Sequence, residues 1–191
     1  MTDRERGKGL TPSQTVGPFF AFSLTPGDYA YAGVAEDDLR TDDAAGETIL
    51  IEGRLTDGDG APVPDGVIEI WQADGAGNYA GRGANTTFKG FGRSETKGGR
   101  FAFRTVKPGA AAGEAPHINV NVFARGIQKQ MFTRIYFEGE EANETDPVMM
   151  LVPADRRATL IARRDGMVDG LARYVFDIRL QGERETVFFE A

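Results

Sequence analysis

One histidine, His117, stands in a chain of 191 residues that has no cysteine. It lies in Ala115-Pro-His-Ile-Asn-Val-Asn-Val122, whose alternation reads as a β-strand. Residues two apart on a strand share a face, so a His-X-His strand aims two imidazoles at one metal ion. Here the second position is Asn119, a neutral amide and a poor ligand for a hard, high-valent cation. One imidazole cannot fill a metal's coordination shell, so a hydrogen-bonded structural histidine is the preferred reading of His117. Arg125 follows eight residues later, roughly 26 Å along an extended strand. The two residues therefore serve different places, and by pattern alone Arg125 is a solvated surface arginine. Of the five tyrosines, Tyr136 and Tyr174 sit in strand patterns and read as packed, while Tyr79 follows a turn. No spacing brings two tyrosines beside His117. No serine or cysteine nucleophile motif is present, and Gly90-Phe-Gly-Arg93 is too short for a nucleotide loop.

The bulk properties narrow the classes further. Without cysteine there is no disulfide framework, zinc–thiolate site or iron–sulfur cluster. The net charge of -7 and the lack of a basic stripe exclude a nucleic-acid partner. That field repels anions, so an anionic substrate needs a locally placed arginine or lysine. The charged start Met1-Thr-Asp-Arg-Glu-Arg leads into no apolar signal region, and no apolar run reaches the roughly 18 residues of a membrane span. A cytoplasmic protein with no membrane contact is expected.

The elements that position these residues are strands. Residues 1–47 read as an N-terminal arm and loop, and 48–191 as a β-sandwich core. Within the arm, Thr11-Pro-Ser-Gln-Thr-Val-Gly-Pro-Phe-Phe20 is too rich in proline for helix or central strand. Its paired phenylalanines suggest docking. Strands are predicted over Thr48–Leu55, Val67–Ala73, Arg100–Val106, His117–Arg125, Met131–Glu138, Arg173–Gln181 and Thr186–Phe189. One short helix is predicted over Arg156–Arg163. Such closely spaced strands and turns argue for an all-β, antiparallel sandwich.

Several stretches together resemble the intradiol ring-cleavage dioxygenases. They are Thr11–Phe20, Ile68-Glu-Ile-Trp-Gln-Ala-Asp74, Phe91-Gly-Arg93, Arg104-Thr-Val-Lys-Pro-Gly109, Pro116-His-Ile-Asn-Val120, Phe123-Ala-Arg-Gly126, Thr133-Arg-Ile-Tyr-Phe137 and Tyr174-Val-Phe-Asp-Ile178. Each is weak alone; in order along nearly the whole chain they are specific. The resemblance implies the family's sandwich fold, with an extended N-terminal arm. Two-chain members pair an iron-bearing beta chain with a related alpha chain, and the sequence matches the second kind. The beta chain holds Fe(III) with two histidines and two tyrosines, the histidines in a His-X-His strand. The matching positions here are His117 and Asn119, vestigial metal positions. Ala110-Ala-Ala112 stands where one tyrosine would follow the Lys-Pro-Gly turn. Residues 82–89 are too short to carry the other. At most one ligand of the four survives.

The resemblance further implies that Thr15, Gly17, Pro18 and Arg125 form part of the substrate-pocket wall of the beta chain. It implies no catalytic residue and no metal in this chain alone. Protocatechuate and O2 are the implied substrates, and a higher-order hetero-oligomer the implied assembly. A non-catalytic β-sandwich module that binds a ligand or partner stays open at this point, as does, more remotely, a homo-oligomeric enzyme with another metal site.

Overall fold

The computed structural model describes residues 24–25, 33–81 and 87–190. Its strands follow the alternation of β-branched and aromatic residues, one face packed and the other turned outward. β1 (Thr48–Thr56) buries Ile49, Ile51 and Leu55, as the pattern predicts. β2 (Val67–Gln72), β3 (Phe91–Glu95), β4 (Arg100–Val106), β5 (His117–Phe123) and β6 (Met131–Phe137) follow. β7 (Ile161–Val168), β8 (Leu171–Val175) and β9 (Ile178–Arg179) complete the set. Hydrogen bonds order them β3-β2-β5-β6-β7-β8-β1-β4, with β9 on β1. β7 links two layers: its start pairs with β6 and its remainder with β8. Ile68, Ile118 and Val120 of one layer and Ile51, Phe103 and Phe176 of the other belong to one core cluster. The fold is a β-sandwich.

The outer strands of this path, β3 and β4, would leave unpaired backbone at a seam. The polar stretch before Thr48 covers it. Glu36 O accepts from Arg93 N of β3 at 2.9 Å, and Asp37 O accepts from Arg104 N of β4 at 2.9 Å. Leu39 seats in the core between them.

Four expectations need correction. The helix predicted over Arg156–Arg163 is a single 3-10 turn, Arg157–Leu160, after which Ile161 enters β7. One turn fixes several dihedrals for one hydrogen bond, so it does not outcompete pairing with Tyr136 and Phe137. The strand expected over Arg173–Gln181 is broken at Phe176-Asp177, where Asp177 Oδ1 accepts from Arg54 N at 2.9 Å. Thr186–Phe189 forms an isolated bridge, Phe132 to Phe189, and no regular strand. The sandwich is also not wholly antiparallel: β1 runs parallel to β8 and β9, and β6 to β7. Two strands were not expected, β3 and β7. The β7–β8 hairpin carries a strong signal, Asp169-Gly170, with φ of 51° and 79° at the two turn residues.

Candidate functional site

β5 pairs with β2 on one side and β6 on the other, and its register sets the site. Trp71, Asn119 and Arg134 form one cross-strand row, and His117 lies opposite Tyr136. Trp71 stacks on Tyr79 with ring centroids 5.9 Å apart. Residues at these positions point outward from the apolar core face of Ile118, Val120 and Val122.

His117 is nonetheless buried, because loop residues cover its end of the sheet. Its Nδ1 lies 2.8 Å from Ala115 O, so the ring nitrogen donates there. Its Nε2 lies 3.4 Å from Glu114 Oε2. Burial lowers the His117 pKa below its usual 6.5, and the nearby Arg134 charge adds to this; the Ala115 carbonyl and Glu114 oppose it.

Arg134 Nη1 donates to Glu114 Oε2 at 3.0 Å and to the Tyr136 hydroxyl at 3.3 Å. Tyr136 in turn donates to Asp146 Oδ1 at 2.9 Å. Burial raises the Tyr136 pKa, which keeps the phenol protonated. Asp146 is buried, and it also accepts from Ala115 N at 2.8 Å, Val148 N at 2.9 Å and Met149 N at 2.8 Å. Burial works to raise its pKa, and these donors outweigh burial, so the net shift is downward.

The donor chemistry does not fit ferric iron. Tyr136 is held as a neutral phenol, Asn119 is an amide, and a guanidinium cation stands in the same cluster. A second cation beside Arg134 would meet direct repulsion. Among the described residues, no three His, Cys, Asp or Glu side chains gather in a metal-holding group. The cluster can order the β5–β6 end of the sheet, and His117 reads as a structural histidine.

Its titration predicts acid sensitivity in two stages. His117 has a lowered folded pKa, so between that value and about 6.5 the unfolded chain binds the extra proton and stability falls as pH falls. Asp146 also has a lowered folded pKa; its contribution holds above about 3.8 and is lost as pH drops through the folded value. Urea midpoints measured at pH 7.5, 5.5 and 3.5 should fall at each step. The His117→Gln variant should show a smaller drop over the first interval; an unchanged drop would contradict the assignment.

Arg125 lies beyond the other end of β5, in the turn before β6. Its side chain is 59% exposed and forms an ion pair with Asp65. His117 and Arg125 are therefore not brought together, as the spacing predicts. Thr15, Gly17 and Pro18 lie outside the described residues, as do Tyr29 and Tyr31. Glu114, Arg134 and Asp146 were not singled out in the sequence. Two signals were available: Arg134 and Tyr136 alternate on one face of β6, and Asp146 precedes a proline in a turn pattern.

Residues 17–182 match the protein family described as Dioxygenase. The protocatechuate 3,4-dioxygenase alpha chain of Burkholderia cepacia is 49% identical over 190 residues, covering 94% of this chain and 96% of that protein. The protocatechuate 3,4-dioxygenase beta chain of the same organism is 33% identical over 165 residues, covering 78% of this chain and 70% of that protein. Among solved structures, the dioxygenase domain of a dioxygenase carbohydrate-binding protein fusion from Streptomyces sp. SirexAA-E superposes with a TM-score of 0.63 at 26% identity, covering 90% of this chain and 98% of that one. With its sandwich, its ordered motifs and these matches, the chain belongs to the intradiol dioxygenase family.

Proposed function

We propose that this chain is the metal-free alpha subunit of a cytoplasmic, heteromeric intradiol dioxygenase that cleaves protocatechuate. Fe(III) belongs to a homologous beta subunit, and the two chains assemble into a higher-order hetero-oligomer. In the overall reaction both atoms of O2 enter the product. The ring bond between the two hydroxylated carbons breaks, giving 3-carboxy-cis,cis-muconate. The observation that carries this reading is the Arg134 cation hydrogen-bonded to a neutral Tyr136 beside His117, where a metal enzyme would need anionic donors. The 49% identity to a relative named as an alpha chain supports it.

The chain contributes to the partner's pocket from two places. Thr15, Gly17 and Pro18 supply wall: a hydroxyl and a backbone N–H, a residue that permits close approach, and a stiff one. Arg125 supplies positive charge against a net charge of -7. Asp65 pairs with Arg125 and restrains its long side chain. Arg125 then attracts the carboxylate of the substrate, not its catechol oxygens.

The test is Arg125→Gln in the coexpressed heteromer. KM for protocatechuate should rise about tenfold with little change in kcat, the cost of one charge-assisted hydrogen bond. Catechol, which lacks the carboxylate, should turn over as before. Asp65→Asn should raise KM in the same direction by less. Equal losses for both substrates, or none, would contradict the role.

A further inference from the structure

Arg54 of β1 and Arg100 of β4 stand directly opposite each other in an antiparallel pair. Cross-strand partners point to the same face, and like charges so placed are destabilising. Both side chains are exposed, and among the described residues neither carries an ion pair. Arg100 also borders a cleft with Asp37, Glu52 and Glu95, where Glu95 pairs with Lys97 at 3.8 Å. Glu52 takes Arg173 Nε at 3.0 Å and Nη2 at 2.6 Å. Asp177 accepts from Arg54 N through Oδ1 at 2.9 Å. Asp57 Oδ1 accepts from Asp59 N at 3.0 Å and Ala61 N at 2.9 Å.

The two arginines line a cleft of about 220 Å³. Its remaining wall is Thr56, Gly60, Pro62, Gly98 and Gly99, with no carboxylate among them. Gly98 and Gly99 have φ of 61° and 76°, which turns the chain sharply just before Arg100. Thus two arginines line one small cleft in a chain with 29 acidic and 22 basic residues.

We propose that Arg54 and Arg100 form an oxyanion site that takes one carboxylate or phosphate group between two guanidiniums. Guanidinium forks match such groups bidentately, and the bound anion removes the cross-strand repulsion. The source is either a free small anion or a carboxylate side chain of a partner subunit. The cleft shares no lining residue with the Arg125–Asp65 pair and does not depend on that role.

The experiment uses the full chain, alone and with its coexpressed beta chain. First, inorganic phosphate is titrated against sodium chloride at matched ionic strength, following the arginine Nε–Hε resonances. A free-anion site gives saturable shifts at Arg54 and Arg100, weakened at least tenfold in Arg54→Gln and in Arg100→Gln. Second, the affinity of each variant for the beta chain is measured at low and high salt. A partner carboxylate gives no saturation with phosphate, and a tenfold loss of assembly affinity in both variants that shrinks as salt rises. In either case the isolated Arg54→Gln chain should melt about 1–3 °C higher, because repulsion is relieved. Without saturable phosphate shifts, an unchanged or salt-independent assembly affinity would overturn the proposal; so would equal shifts across all surface arginines.

Discussion

Replacing Asp146 with alanine should destabilise the chain by about 3–5 kcal/mol, the range for removing one member of a buried charged network. The carboxylate organises four donors from three parts of the chain: Ala115 N, the Tyr136 hydroxyl, Val148 N and Met149 N. Alanine leaves all four without a protein acceptor at a place where Asp146 itself is 1% exposed. Unpaired buried donors cost more than the bonds themselves are worth in water. Tyr136 would also lose the acceptor for its hydroxyl, loosening the Arg134–Glu114 pair beside it. Asp146→Asn should cost less, since it keeps one acceptor oxygen. Glu95→Ala, which loses a long surface pair with Lys97, should stay within about 0.5 kcal/mol. Urea unfolding of the three variants checks the order. A loss below about 1 kcal/mol for Asp146→Ala would show that water replaces the carboxylate and that the cluster is not structural.

Deleting residues 1–18 should lower ring cleavage by the coexpressed heteromer about 100-fold, the scale set by misplacing a bound substrate near its reaction partner. The described core clusters draw their members from Leu39 onward, so the deletion removes none of those side chains. What it removes includes residues 11–18, with two prolines and a glycine, which no periodic pattern assigns to helix or strand. In the proposed assembly that segment walls the partner's pocket and keeps water from it. The comparison is kcat/KM of deleted and intact heteromers, with thermal melting of each. Full activity in the deleted form would remove the arm from the account. Loss of activity together with a collapsed melting transition would assign the arm to folding instead.

Much of the fold was legible because alternation writes strands directly. Arg100–Val106 is legible with the bounds it has, since Phe101 and Phe103 alternate with Arg100, Ala102 and Arg104. β3 escaped because Phe91–Glu95 buries only Gly92 and Ser94, which carry no apolar signal. β7 escaped for the converse reason: Arg163 to Val168 are exposed, so the strand has pairing without a buried stripe. The candidate site was half legible. The single histidine and Asn119 pointed away from iron, and Arg125 stood far from both. The Glu114–Arg134–Tyr136–Asp146 network was not readable, because it joins a loop, a strand and a turn whose meeting depends on register. The parallel pairings were hidden for the same reason: β1 meets β8 over a separation that local pattern does not encode.

The central claim is that iron sits in a companion chain. Metal content and visible absorption, measured on this chain purified without its partner and again after coexpression, test it most directly. The partner-free protein should be colourless, carry iron far below one equivalent and leave protocatechuate intact. The coexpressed complex should show the red-brown tyrosinate-to-iron band and cleave the ring. One tightly held iron per chain in homogeneous, partner-free material would contradict the account.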